Sequence, residues 1–109
     1  MSHELLDEIS LELGRCTAAR LRQKPDLLRL AQENLARWTR LNANAPGLLR
    51  CYAEWGELLH HPVEEICQLL SSETEEARRL RQNSPFAGVL NAREVWELKQ
   101  RLRHAKRAA

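Results

Sequence analysis

Residues 83–90 read Asn-Ser-Pro-Phe-Ala-Gly-Val-Leu. Pro85 has no N–H to give a helix interior and Gly88 costs a helix roughly 1 kcal/mol against Ala. The only Phe of the chain, Phe86, therefore stands where no helix runs through. On both sides of it apolar residues return at steps of three and four. The chain reads as helices interrupted by one apolar loop, and the expected fold class is all-α: a compact bundle of five to six helices with the Pro/Gly loop before the last helix.

Working back from the loop, Ser72-Glu-Thr-Glu75 fits a capping box, in which hydroxyl and carboxylate each satisfy a backbone N–H at a helix start. It opens a short helix through Ala77 and Leu80 to about Gln82. Before it, Val63, Ile66, Cys67 and Leu70 form the buried face of another helix. His60-His61-Pro62 stops an earlier one, because the residue preceding a proline is pushed out of the α region. That earlier helix bears Leu48, Leu49, Tyr52, Trp55 and Leu59, with Asn44 as its expected cap and Pro46 in its first turn. Pro25 suits the first turn of a helix burying Leu28, Ala31, Leu35 and Trp38. Ser2 is the expected cap of a first helix that places Leu6, Ile9, Leu13 and Cys16 on one stripe, which Gly14 weakens without ending. Past the loop, Asn91-Ala-Arg-Glu94 starts the last helix, with Val95, Leu98 and Leu102 as its stripe and Trp96 to one side.

With 109 residues, 43% of them hydrophobic and 29% charged, the chain is of globular class and forms a single domain, residues 1–109. Its apolar runs are a few residues long, so no segment spans a bilayer. The start, Met-Ser-His-Glu-Leu-Leu-Asp-Glu8, is acidic where a secretory signal is basic and then apolar, so the expected location is the cytoplasm. Cys16, Cys51 and Cys67 are an odd number, read as reduced core thiols.

The net charge of +2 conceals a partition into blocks: −4 over residues 1–14, +6 over 15–50, −7 over 51–77 and +7 over 78–109. Such blocks either neutralise one another within a bundle or present single-signed faces to a partner. Both uses stand open on the sequence.

Catalysis finds little support. His60 and His61 lie between Cys51 and Cys67, the one gathering of nucleophile and base types, yet both thiols fall on apolar helical stripes, where they act as small hydrophobes. The spacing C-x8-H-H-x5-C matches no common zinc pattern, and there is no Gly-rich phosphate loop and no H-E-x-x-H. The chain is expected not to be an enzyme and to need no metal or cofactor.

Residues 63–81 scan somewhat like a helix-turn-helix, with Ser71-Ser72 as the turn. The front of the would-be recognition helix carries Glu73, Glu75 and Glu76, three carboxylates that would face rows of phosphates. A better footprint for DNA is the last helix, where Lys99, Arg101, Arg103, Lys106 and Arg107 could follow a phosphate backbone without sequence preference.

The loop itself reads two ways. As a strap, Phe86, Val89 and Leu90 fold over the open end of the bundle, where burying Phe86 and Leu90 contributes roughly 1.5–3 kcal/mol each. As a plug, the same residues face a partner. The two combine if Phe86 points inward while Arg81, Asn83 and Ser84 point outward.

The run Leu80-Arg-Gln-Asn-Ser-Pro-Phe-Ala-Gly-Val-Leu90, preceded by Trp55-Gly-Glu-Leu-Leu59 and Asn34-Leu-Ala-Arg-Trp38, resembles small bacterial helical proteins that act as the antitoxin of toxin–antitoxin operons. The similarity spans about residues 27–104, and Asn83 stands where similar proteins often have Ser. The resemblance implies a protein partner, a co-encoded toxin that is bound and neutralised, and DNA binding at the operon promoter. It carries no residue assignments. Arg78, Arg81, Asn83, Ser84, Pro85 and Phe86 are the candidate partner-binding set, and reversing charge at Arg81 is expected to weaken binding while leaving helicity intact.

Overall fold

A computed structural model describes residues 3–108, and among them it contains helices and no strand. The order is α1 (His3–Gln23), a 3-10 turn (Pro25–Leu27), α2 (Leu28–Leu41), α3 (Pro46–Leu58), α4 (Val63–Leu70), α5 (Glu75–Arg81) and α6 (Ala92–Ala108). Ser2, the expected cap of α1, lies outside the described residues.

The prolines act where their missing N–H is harmless: Pro25 opens the 3-10 turn and Pro46 is the first residue of α3. The capping box of α6 forms in both directions. Asn91 Oδ1 accepts from the Glu94 N–H at 2.8 Å, and Glu94 Oε1 accepts from the Asn91 N–H at 3.0 Å. Two other caps differ from expectation. Asn44 is exposed, and Ala45 takes the cap position of α3 without a side-chain bond, because Pro46 leaves one fewer orphan donor to satisfy. At α5 the cap is Thr74, whose Oγ1 accepts from the Ala77 N–H at 3.2 Å. Ser72 instead accepts from the Thr74 N–H at 3.2 Å, forming the turn that delivers the cap. Starting α5 at Glu75 sets Glu75 and Glu76 at the positive end of the helix dipole and leaves Ala77 and Leu80 buried.

The main core gathers Ala18 and Leu21 of α1, Ala31 and Leu35 of α2, Tyr52 and Trp55 of α3, Ile66, Cys67 and Leu70 of α4, and Leu80 of α5. Trp55 is fully buried, so its indole N–H needs an acceptor, and the carbonyl of Leu80 at the end of α5, which also accepts the Asn83 N–H at 3.2 Å, supplies one at 2.9 Å. Phe86 closes this core, meeting Trp55 edge-on with ring centroids 6.0 Å apart and planes at 78°. Trp38 and Tyr52 pair nearby at 5.9 Å.

A second, smaller cluster holds α6 to the outer part of α1: Leu5, Ile9 and Leu98 are buried together, with Leu13, Cys16 and Leu102 against them. The stripe read for α1 is therefore rotated by one residue at its start. Leu5 is buried and Leu6 is 48% exposed. The fold overhangs its main core on this side, consistent with extents of 43 × 32 × 26 Å.

Gly14 has a structural duty that its helix propensity conceals. A Cβ built there would lie 2.0 Å from the carbonyl oxygen of Leu70. The close crossing of α1 with the end of α4 thus requires glycine.

Candidate functional site: a trough over the first helix

α5 and α6 each pack on α1, and no packing of comparable extent joins them to each other. The gap between them is a trough of about 440 Å³. Its floor is one face of α1, where Leu6, Ser10, Leu13 and Thr17 follow at steps of four, three and four. One wall comes from the end of α5 and the loop after it, with Arg81, Ser84 and Phe86; the other is α6, with Val95, Lys99 and Arg103. No Asp or Glu lines it, so an apolar floor lies between cationic walls.

The wall residues are fixed in different ways. Arg81 Nε donates to Ser10 Oγ at 3.1 Å, and Nη1 donates to the Ser72 carbonyl at 2.6 Å. Nη2 has no partner among the described residues. Burial pulls the Arg81 guanidinium below its usual value, reinforced by repulsion from Arg78. The nearby carboxylate of Asp7 partly offsets both. Lys99 and Arg103 form no ion pair among the described residues. Trp96, 61% exposed, stands three and seven residues before them on α6 and shares their face.

The loop residues of the predicted partner-binding set divide. Pro85 and Phe86 are buried, so the strap reading describes their side chains. The strap is tied from α2: Asn34 Nδ2 donates to the carbonyls of Pro85 at 2.8 Å and Ala87 at 3.0 Å. Gly88 turns the chain with φ +96°, a conformation other residues resist. Asn83 and Ser84 are half-buried, and Ser84 Oγ accepts from the Phe86 N–H at 3.3 Å. Arg81 does not point freely outward, being held by Ser10 and Ser72. Arg78 faces Asp7 at 3.6 Å.

The charge blocks meet within the bundle. Arg22 forks onto Glu64 at 3.0 and 2.9 Å, Arg79 onto Glu54 at 3.1 and 2.7 Å, and Lys106 reaches Glu4 at 3.4 Å and Glu8 at 3.6 Å. Hydrogen bonds from Arg79, Arg22 and Arg20 hold the carboxyls of Glu54, Glu64 and Glu94 below their usual range. Internal neutralisation thus takes up much of the pattern, and the trough cations are among those left over.

The five basic residues proposed for DNA do not share one face. Lys106 is engaged with α1, while Arg101 sits roughly 160° round the axis from Lys99. Arg101 and Arg107 are exposed. On the helix-turn-helix reading, Arg79 of α5 is committed to Glu54 and Glu76.

Cys67 is buried, and desolvation pushes its thiol above the usual value; its S–H donates weakly to the Ala18 carbonyl at 3.5 Å. His61 pairs with Glu65 at 3.0 Å on the surface. Among the described residues no three His, Cys, Asp or Glu side chains gather as a metal site, and no helix is long and apolar enough to cross a membrane.

Comparison of the chain with protein-family models, with curated proteins and with solved structures gives no match. The site therefore rests on its own geometry. Sequence reading missed the trough because Leu6 and Leu13 look like ordinary core positions. It missed Asn34 because a buried amide within an apolar stripe reads as a polar interruption.

Proposed function

We propose that this chain is an antitoxin-like protein-binding module that binds and neutralises a co-encoded toxin. The observation that carries the reading is the trough: a largely apolar floor flanked by Arg81, Lys99 and Arg103, none of them ion-paired among the described residues, is suited to gripping a protein surface, and apolar anchors framed by charge are how such contacts gain both affinity and orientation. The strap sequence that carries the resemblance also forms part of the trough wall. With many of its charges paired internally, the chain offers a folded helical scaffold for that contact.

Co-expression with the product of the adjacent gene tests it. A stable complex on size exclusion, together with growth restored to cells in which that product alone is toxic, is the expected result. Failure of the two chains to co-purify, or toxicity unchanged by this chain, would overturn it. A second reading, a DNA-binding regulator using α6, draws on Lys99, Arg101, Arg103, Lys106 and Arg107, of which all but Lys106 form no ion pair among the described residues. It predicts a gel shift at low salt that weakens steeply as salt rises.

A further inference from the structure

We propose that the trough seats about two turns of an acidic amphipathic helix of the protein partner, with its apolar stripe on α1 and carboxylates toward the walls. This rests on the protein-binding reading above and names what the site takes.

Length and shape come from α1. From Leu6 to Leu13 the accessible floor runs about 10 Å at 1.5 Å per residue, which is two helical turns; Thr17, beyond it, is buried and bonded to the Leu13 carbonyl. It lies between two elements that both pack on α1 and leave the place of a neighbouring helix open. A helix laid in a groove anchors through residues at steps of three and four, the same steps that Leu6, Ser10, Leu13 and Thr17 present. An extended segment would find no sheet edge to pair with, because the described residues contain no strand.

Charge selects the sign. Arg81 stands on one wall and Lys99 and Arg103 on the other, and the lining contains no carboxylate. A basic helix would be repelled from both sides. A neutral one would desolvate three cations without compensating them. An acidic helix meets them from either flank.

The probe is a synthetic peptide of about 15 residues, long enough to form helix on binding, with Leu at helical spacing and Glu on the flanks. It is titrated into the full chain by calorimetry, with circular dichroism to follow the peptide. Saturable binding with a gain of helix is expected. The double change Lys99→Glu with Arg103→Glu is expected to weaken it about tenfold or more, as is Leu6→Glu. These residues are at or near the surface and outside the main core, and unchanged thermal melts verify that the variants fold. Absent binding, equal binding of a Lys-flanked or scrambled peptide, or self-association of the chain that Leu6→Glu abolishes would each overturn the inference. If the co-encoded protein binds wild type and the double variant equally, the protein-binding reading stands and the trough assignment falls. If the peptide binds as expected and no co-encoded protein does, the trough stands and the toxin reading falls.

Discussion

Asn34, in the middle of α2, donates its side-chain amide to the main-chain carbonyl of Pro85 at 2.8 Å, tying a helix to a loop 51 residues away. The same nitrogen reaches the Ala87 carbonyl at 3.0 Å, while Oδ1 accepts from Arg37 at 2.6 Å. With Asn34 only 3% exposed, removing the amide leaves the Pro85 carbonyl buried without its donor. Asn34→Ala is expected to cost about 2 kcal/mol in urea denaturation. Hydrogen exchange should locate the loosening in residues 84–90, with α4 protected as before.

Two glycines test different constraints. Gly14→Ala would drive a Cβ into the Leu70 carbonyl, so α1 and α4 must separate and the loss is expected to reach about 3 kcal/mol or more. At Gly88 the nearest atom to an added Cβ is Leu30 Cδ2, at an ordinary 3.6 Å. Gly88→Ala should therefore cost only the backbone penalty of its positive φ, about 1–2 kcal/mol. Melting curves that ranked the two in the opposite order would contradict the packing described for α1 and α4.

Arg81 is both a wall of the trough and a structural tie. Its guanidinium joins Ser10 of α1 to the turn at Ser72, so Arg81→Glu breaks these bonds and sets a carboxylate against carbonyl oxygens. Helicity is still expected to stay intact, but a loss of about 2 kcal/mol in stability should accompany any loss of binding. Lys99→Glu has no such tie and should leave the melting temperature within a degree or two of wild type, since isolated surface changes stay within about 0.5 kcal/mol. Equal melting temperatures for the two variants would refute the tie.

The pH profile should have two limbs. Glu54, Glu64 and Glu94 have folded-state values depressed by their arginine partners, so their contribution is present above the unfolded carboxylate value, about 4.3, and is lost as pH falls through the lower folded values. Cys67 has a folded-state value raised by burial. Its contribution is present in full below the unfolded thiol value, about 8.5, and is lost as pH rises toward the folded one. Denaturation midpoints should therefore fall below about pH 4 and above about pH 8.5, and Cys67→Ala should flatten the alkaline limb alone.

What the sequence by itself determined is the set of local decisions. Helical spacing, the prolines at Pro25 and Pro46, the reciprocal Asn91–Glu94 cap and the break at Pro85 and Gly88 are settled by neighbours a few residues apart, so they were legible before any coordinates. At α5 the local pattern read as a box capped by Ser72, and the helix is capped by Thr74 instead. The candidate site belongs to the other category. That Gly14 is a crossing point, that Asn34 holds the strap, that Phe86 turns inward onto Trp55 and that Leu6 and Leu13 floor a trough all depend on which surfaces meet across long stretches of chain. Only tertiary packing decided those, because side-chain periodicity gives the face a helix presents and carries no information on what comes to cover it.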